Sequence, residues 1–333
     1  MTRMVRSLWG ASRVPGAEAP YDTAHLRVFY PALREDTQDE RMTGVMRPDP
    51  AGAPFPVAVI LPGVNVGQDA YRWLAIRLAE VGIAAVTYDL VGALTPGLVG
   101  VSPGLDLAAV APDAYGARPT APGIQAVLDG VAALAAEGAL AGALDLDRIA
   151  LIGHSAGGTA VLQSAATRWY PGLRAAVVYG AHTQPAQVLG YDAGAILASP
   201  VDVPLLLMHG TEDGIMAASA VRYGQQSGAR VDPVERTYDE ATAACPDAWL
   251  LTFKGANHFA IGHPHDTTSA RGFLDGEPTT DPAATRECLA AVVTDFLTAH
   301  LLPGDEAAHA AERLADLPTA PPTEIATVRR RTV

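Results

Sequence analysis

The chain of 333 residues contains little cysteine and few basic residues. Cys245 and Cys288 are too few for a disulfide framework and lack a CxxC metal spacing. We interpret them as free thiols, while a single bridge between them, typical of an exported protein, stays open. Basic residues number 23 against 36 acids, and the net charge of −13 would repel nucleic acids and anionic membrane surfaces. We therefore expect no nucleic-acid partner.

Long apolar runs are also missing. Residues 1–16 carry basic side chains but no run of ~7 to 15 apolar residues, so they do not resemble a secretory signal. No stretch reaches ~18 uninterrupted apolar residues, so we expect no membrane span. These features favour a cytoplasmic protein, although a chain whose native leader had been removed would look the same. Apolar residues make up 49% of the chain, which predicts a sizeable buried core.

Apolar patterns predict strands alternating with helices along most of the chain. Continuous apolar runs suit strands that are buried on both faces of a parallel sheet. The predicted strands cover 24–30 (in an edge hairpin), 57–63, 83–89, 148–153, 174–180, 203–210 and 248–255. The predicted helices cover 70–81, 123–139, 157–168, 215–227 and 284–301. This order indicates an α/β protein with a mostly parallel, doubly wound sheet.

The length and this alternation favour one domain with extensions. We assign residues 1–302 to a single α/β domain, with its core at about 24–302. Residues 303–333 read as a peripheral alanine-rich helix followed by a mobile tail ending in VRRRTV. Residues 90–122 are rich in Gly, Pro and Ala without clear periodicity, and form either a cleft wall or a plain insertion.

The segment Gly153-His154-Ser155-Ala156-Gly157-Gly158 joins an apolar strand to a helix. This context is the one that a G-x-S-x-G nucleophile elbow requires. The turn is so tight that side chains at Gly153 and Gly157 would collide with the neighbouring strand and helix, while the serine adopts a strained conformation. The following helix points free N–H groups at an anion formed there. The motif predicts Ser155 as a nucleophile.

A serine hydroxyl needs a histidine to take its proton and a carboxylate to orient that histidine. Reactive groups in open parallel sheets lie beyond the carboxyl ends of strands. Asp213 and His258 follow two predicted strands in this way. The chain order Ser155, Asp213, His258 is that of α/β-hydrolases. We therefore predict these three residues as a catalytic triad.

Other residues compete for these roles. Glu212 would point differently from the turn, and Asp89 reads as a structural hydrogen-bond acceptor at a strand end. His154 flanks the nucleophile but is directed away from it, and His209 at a strand end reads as structural. The sequence HPHD at 263–266 suggests a metal site, yet histidines at this spacing in a loop are more often solvated. We predict no metal site.

Attack on a carbonyl creates an oxyanion that needs preorganised donors. In this elbow arrangement they are the N–H after the nucleophile and one from the loop after the strand at 57–61. These positions predict Ala156 and Val64 as the oxyanion hole, with Asn65 as an additional cleft residue.

The segments LPGVNVGQDAYRWLAIRLAEVGIAAVTYD, GHSAGG, HGTED and GANH resemble the dienelactone hydrolase, chlorophyllase and polyester hydrolase (cutinase-like) branch of the α/β-hydrolases. The resemblance implies the α/β-hydrolase fold, the triad and oxyanion roles, and ester hydrolysis without a cofactor. Two departures concern polyester cleavage: Val64 replaces a usual aromatic residue, and the usual export signal is missing. A dienelactone hydrolase proper would use cysteine where this chain has Ser155.

Residues 181–202 are too few for the helical cap often inserted at this point of the fold. We expect an open cleft, walled by 90–122 and 181–200, with Tyr115, Tyr179 and His182 as candidate substrate contacts. The expected substrate is a small to medium apolar ester. The sequence does not define an oligomeric state.

Three functions compete. A serine esterase is favoured, and an acyltransferase or cyclase of a biosynthetic pathway would use the same triad while keeping water out. A binding or scaffolding protein could share the fold, because fold alone does not fix function. Reaction of Ser155 with a fluorophosphonate distinguishes the enzymes from the scaffold, and acyl transfer to alcohols or amines distinguishes the two enzymes.

Overall fold

The computed structural model describes residues 3–95, 97–222, 232–268 and 272–332. Its strands are β1 (Val5–Arg13), β2 (Thr23–Leu33), β3 (Arg47–Pro48), β4 (Phe55–Leu61), β5 (Ala84–Thr95), β6 (Leu98–Val101), β7 (Leu144–His154), β8 (Leu173–Tyr179), β9 (Leu205–Gly210), β10 (Asp247–Phe253) and β11 (Ile325–Thr332). Its α-helices are α1 (Gln38–Thr43), α2 (Arg72–Glu80), α3 (Gly123–Ala136), α4 (Ala156–Ser164), α5 (Gly214–Arg222), α6 (Pro233–Arg236), α7 (Pro282–Leu301) and α8 (Asp305–Asp316).

One mixed sheet organises the described residues, in the order β1-β2-β5-β4-β7-β8-β9-β10-β11. The six strands from β5 to β10 in this order run parallel, and the outer strands pair antiparallel. Every residue of β4 is buried, because helices flank the sheet and leave no strand face to water. The architecture is the α/β-hydrolase fold that the alternation of strands and helices predicts.

The carboxyl ends of the six parallel strands share one edge of the sheet. Residues 181–202, which follow β8, hold only a single 3-10 turn at Gln187–Leu189. No large cap is present in this described segment, as its length predicts. The carboxyl edge is therefore uncovered at the point where many related folds insert a lid.

The predicted helices are present with shifted ends. The prediction at 70–81 corresponds to a 3-10 turn at Gln68–Tyr71 followed by α2. The helix expected at 157–168 ends earlier, at Ser164, and α5 covers the first part of the helix expected at 215–227. The remainder of that prediction, from residue 223, lies outside the described residues.

The first correction concerns the N-terminal edge. The strand predicted at 24–30 is β2, which does lie in an edge hairpin, but its hairpin partner β1 precedes it in the chain and was not among the predicted strands. Alternating exposed and half-buried residues in β1 give only a weak apolar signal. β1 is therefore recognisable only from its pairing with β2.

The second correction concerns the C-terminal tail. Residues expected to be mobile form β11, which pairs antiparallel with β10. Arg330 donates to Asp247 at 2.9 Å, and its guanidinium lies 4.4 Å from the Trp249 ring centroid. Arg331 donates to the carbonyl oxygen of Thr242. Without β11 the backbone of β10 would be an unpaired edge. The boundary predicted at residue 302 stays a prediction.

The segment 90–122 also contains structure that its composition concealed. β5 continues to Thr95 and returns as β6, forming an antiparallel hairpin at the carboxyl edge of the sheet. Cys245 and Cys288 are unpaired, as the interpretation of free thiols predicts. No helix among the described residues is long and apolar enough to cross a membrane.

Candidate active site

Ser155 lies at the junction of β7 and α4, at the carboxyl edge of the sheet. Its backbone has φ 55° and ψ −120°, a conformation that costs a non-glycine residue about 1–3 kcal/mol. A Cβ at Gly153 would collide with the backbone of Gly157, and one at Gly157 with the carbonyl of Leu61. The Ser155 N–H donates to the carbonyl of Tyr179 at 3.0 Å. These contacts hold the serine in the strained turn.

His258 and Asp213 form a buried pair beside this turn. His258 Nδ1 donates to the Asp213 carboxylate, at 3.0 Å from Oδ1 and 2.9 Å from Oδ2. Only 1% of His258 and 6% of Asp213 is exposed. A Cβ at Gly180, where φ is 59°, would lie 2.9 Å from His258 Nδ1. The glycine at position 180 therefore leaves room for the His258–Asp213 pair. It directly follows Tyr179, whose carbonyl accepts the Ser155 N–H.

The structure brings the three predicted triad residues to one edge, but it forms only one of their two links. The His258 to Asp213 hydrogen bond is present, and it leaves Nε2 of His258 as the nitrogen available to another group. Ser155 Oγ makes no hydrogen bond to any residue in the described ranges. Hydrogen bonds to a nucleophile are often long before substrate binds. The Ser155 to His258 link stays a prediction.

Asp275 is a site residue that the sequence did not reveal. Its Oδ1 accepts the N–H of Gly214 at 3.1 Å and the N–H of His258 at 3.2 Å. One carboxylate oxygen thus connects the turn after Asp213 to the loop of the histidine. Burial raises the pKa of Asp275, and the nearby Asp213 charge adds to this, against the lowering effect of the hydrogen bond from His258. No local motif marks Asp275, which follows His258 at a distance along the chain.

The predicted oxyanion turn follows β4. Val64 is 37% exposed, and the N–H groups of Val64 and Ala156 donate to no other residue within the described part of the chain. Asn65 has φ 58°, its N–H donates to the Val101 carbonyl at 2.9 Å, and its Oδ1 accepts the Val101 N–H at 3.1 Å. A Cβ at Gly100 would collide with Asn65 Oδ1. The β5–β6 hairpin therefore fixes the turn.

This bonding changes the interpretation of Asn65. Asn65 was predicted as an additional cleft residue, but its side-chain oxygen is engaged by β6. Its side chain still lines a cavity of about 190 Å³, together with Val66, Phe259 and His265. A second cavity of about 310 Å³ is lined by Asn257, Phe259 and Asp275, among other residues.

The other predicted substrate contacts lie in hydrogen-bond networks. Tyr115 Oη donates to the Ala198 carbonyl at 2.8 Å, and Tyr179 Oη donates to the Asn257 carbonyl at 2.7 Å. His182 is 5% exposed, and its Nε2 bonds Ser219 Oγ at 3.0 Å. Burial lowers the pKa of His182 to about 4. Tyr179 and His182 lie in the interior rather than on a cleft surface, and their polar atoms bond the histidine loop and α5, respectively.

The rival residues are also located. Asp89 accepts from the Gln68 N–H at 2.8 Å and its side-chain amide at 3.0 Å, consistent with a structural acceptor. His209 bonds Thr252 in the interior. His263 and His265 are exposed. In the part of the chain that the structure describes, no group of three or more His, Cys, Asp or Glu residues could hold a metal ion.

Comparison with known proteins identifies the family of the chain. No curated protein matches the chain. The model of the dienelactone hydrolase family matches residues 43–270, which include Ser155, Asp213 and His258. The match covers more than half of the sequence. A hydrolytic family and an α/β-hydrolase sheet with an elbow serine at its carboxyl edge point to the same conclusion: the chain belongs to the dienelactone hydrolase family of the α/β-hydrolases.

Proposed function

We propose that this hydrolase cleaves a carboxylic ester through an acyl-enzyme, with Ser155 as nucleophile, His258 as base and Asp213 as the orienting acid. The buried His258 to Asp213 hydrogen bond is the observation that carries the proposal. A carboxylate bonded to Nδ1 selects the tautomer in which Nε2 can accept a proton. The strained elbow supplies the hydroxyl from which that proton would come.

In the proposed reaction, Ser155 Oγ attacks the ester carbonyl carbon while its proton moves to His258 Nε2. The carbonyl oxygen gains negative charge, and the unused N–H groups of Val64 and Ala156 donate to it. The C–O bond to the alcohol then breaks, and the alcohol leaves with the proton held by His258. Water, deprotonated by the same histidine, then attacks the acyl carbon. The bond from that carbon to Ser155 Oγ breaks, Oγ takes the proton back from His258, and the acid is released. Each oxyanion donor typically lowers the barrier by ~3 to 4 kcal/mol.

The surroundings favour a small to medium apolar ester. Val64 is exposed on the oxyanion turn, and Val91, Leu98 and Val99 are exposed on the hairpin that binds this turn. The cavity of about 190 Å³ next to Asn65 and Val66 offers room for a short group rather than a long chain. An uncovered edge with apolar side chains allows an ester to approach Ser155 without a lid movement.

A fluorophosphonate tests this proposal, because it reacts with serine hydroxyls that a base activates. The wild-type chain should be labelled on Ser155, and Ser155→Ala should not be labelled. Ser7→Ala is the matched control and should be labelled as fast as wild type. Ser7 lies on β1 at the level of the amino end of β5, away from the carboxyl edge that holds Ser155. Absence of labelling on the folded wild-type chain would overturn the proposal. Hydrolysis of a panel of p-nitrophenyl esters then defines the acyl group.

A further inference from the structure

A buried row of three hydrogen bonds joins the loops that carry the proposed catalytic groups. The Gly63 N–H donates to Tyr71 Oη at 2.9 Å, and Tyr71 Oη lies 2.8 Å from His154 Nδ1. His154 Nε2 lies 3.0 Å from the His258 carbonyl oxygen. Gly63 precedes Val64 and His154 precedes Ser155. The row, which we call the Tyr71–His154 relay, thus contacts the backbone next to Val64, next to Ser155 and at His258.

Only one arrangement of protons satisfies every member of the relay. The Gly63 N–H can only donate, and the His258 carbonyl can only accept. His154 Nε2 must therefore carry a proton, which it donates to the His258 carbonyl. In the neutral imidazole Nδ1 then accepts, and the Tyr71 hydroxyl donates to it while accepting from Gly63. The relay has a defined direction, from the oxyanion turn to the histidine loop.

Burial keeps this arrangement in place. Tyr71 and His154 are both completely buried. Loss of hydration lowers the pKa of His154 well below its ordinary value, and a positive charge on His258 lowers it further. The rings around His154 belong to Tyr71, Tyr179, His258 and Phe259. His154 is therefore neutral when His258 takes a proton.

An apolar residue at position 154 could fill the same space, but it would leave one buried proton and one buried carbonyl oxygen without hydrogen-bond partners. The Tyr71 hydroxyl would lose its acceptor and the His258 carbonyl would lose its donor. A buried polar group without a partner forfeits its hydration without compensation. The affected groups could recover partners by moving the loops at Gly63 and His258. Such movement would displace the Val64 N–H and the His258 ring, which the proposed reaction needs in fixed positions.

We propose that Tyr71 and His154 are positioning residues that hold the oxyanion turn and the base loop in register with Ser155. This inference rests on the proposed function of those three groups. Neither residue touches the substrate, so the relay acts on the transition state and leaves substrate binding nearly unchanged. Loss of the relay therefore lowers kcat and has little effect on KM.

Four variants test the relay on the full chain: Tyr71→Phe, His154→Phe, His154→Gln, and the double variant Tyr71→Phe/His154→Phe. We expect Tyr71→Phe to lower kcat roughly tenfold, as loss of a buried hydrogen bond would, while KM changes by less than about twofold. His154→Gln can still donate to the His258 carbonyl and should retain more activity than His154→Phe. The double variant should be no worse than His154→Phe, because both changes break one relay.

Tyr30→Phe is the matched control. Tyr30 is buried, and its hydroxyl donates to the Met46 carbonyl at 2.7 Å. It lies on β2 near the amino end of β5, away from the carboxyl edge that holds the site. This variant loses one buried tyrosine hydrogen bond and should keep wild-type kcat. A purely structural role for Tyr71 would give the two tyrosine variants the same kcat and similar losses of stability.

The rate of fluorophosphonate labelling separates this inference from the proposed function. If the wild-type chain is not labelled on Ser155, the proposed function fails. If the wild-type chain is labelled, and folded Tyr71→Phe has the same labelling rate and kcat, the relay alone is overturned. Independent, additive losses in the double variant would also overturn it. Should His154→Phe fail to fold, Tyr71→Phe and His154→Gln carry the decision, because they preserve most of the side-chain volume.

Discussion

Two hydrogen-bond networks flank Ser155, and they differ in charge. Asp213, His258 and Asp275 form a network that contains two carboxyl groups. Gly63, Tyr71 and His154 form a neutral network. The rings of His154 and His258 are only 4.8 Å apart between centroids, yet one histidine faces a carboxylate and the other a phenol. In the proposed reaction this difference separates two tasks: the first network holds the transferred proton, and the second fixes positions.

The largest predicted effect comes from removing the reacting groups. Ser155→Ala and His258→Ala should each lower kcat by about 10⁵ to 10⁶, by analogy with serine proteases, and the double variant should be no worse. The two residues disable one unit, so their losses do not add. Steady-state kinetics on a p-nitrophenyl ester measures this, with circular dichroism to confirm folding. Additive losses would show that the two residues act separately.

The next effect tests the carboxylate of the charged network. Asp213→Asn should lower kcat by about 10⁴, the size of the corresponding change in a serine protease, because the amide favours the wrong histidine tautomer. Glu212→Gln is the matched control and should change kcat little. A crippled Glu212→Gln together with an active Asp213→Asn would assign the acid to Glu212.

A third buried histidine extends the comparison to stability. Burial lowers the pKa of His182 to about 4, whereas an unfolded histidine titrates near ~6.5. Between these pH values the unfolded chain binds a proton that the folded chain does not. Stability contributed by neutral His182 is therefore complete above ~6.5 and falls by about 3 kcal/mol as pH decreases to about 4.

Urea unfolding at several pH values measures this decline. His182→Gln should show a shallower decrease of the free energy of unfolding between pH ~6.5 and about 4, because the titrating group is gone. The buried His154 still contributes acid sensitivity in this variant, so the slope should not vanish. An unchanged slope would contradict the assignment of His182 as a neutral buried group.

The smallest effect concerns the support of the charged network. Asp275→Ala removes the acceptor shared by the Gly214 and His258 N–H groups and should lower kcat about tenfold. Asp275→Asn keeps an oxygen acceptor and should retain most activity. Since burial raises the pKa of Asp275, ionisation destabilises the folded chain, and Asp275→Asn should gain stability relative to wild type as pH rises.

Glu277→Ala, at an exposed residue close to Asp275 in sequence, is the control variant and should keep the wild-type kcat. Equal losses in Asp275→Ala and Asp275→Asn would show that the charge of Asp275, rather than its acceptor oxygen, supports the site.

Much of the fold was predictable because its signals are local. The apolar runs of β4 and β7 and the glycines around Ser155 each lie within a few residues of the feature they determine. The parts that could not be predicted depend on distant partners. β11 is recognisable only once β10 lies beside it, and its arginines look solvated until Asp247 and Thr242 are placed.

The same distinction applies within the candidate site. The order of Ser155, Asp213 and His258 predicts their convergence from strand ends alone. His154 was interpreted as directed away from the nucleophile, but its partners Tyr71 and His258 are distant in sequence, so its hydrogen bonds were not readable. Asp275 was missed for the same reason. Local sequence patterns point to the groups proposed to react, whereas the groups proposed to support them depend on distant partners.

Trapping of the acyl-enzyme tests the central claim most directly. Mixing the chain with an excess of a p-nitrophenyl ester should release a burst of p-nitrophenol that approaches one equivalent per active chain, provided that deacylation is the slower step. Rapid acid quench and peptide mass spectrometry should then find the acyl group on Ser155, and no acylated peptide in Ser155→Ala. Turnover of the ester by a folded Ser155→Ala chain at the wild-type rate would contradict the account.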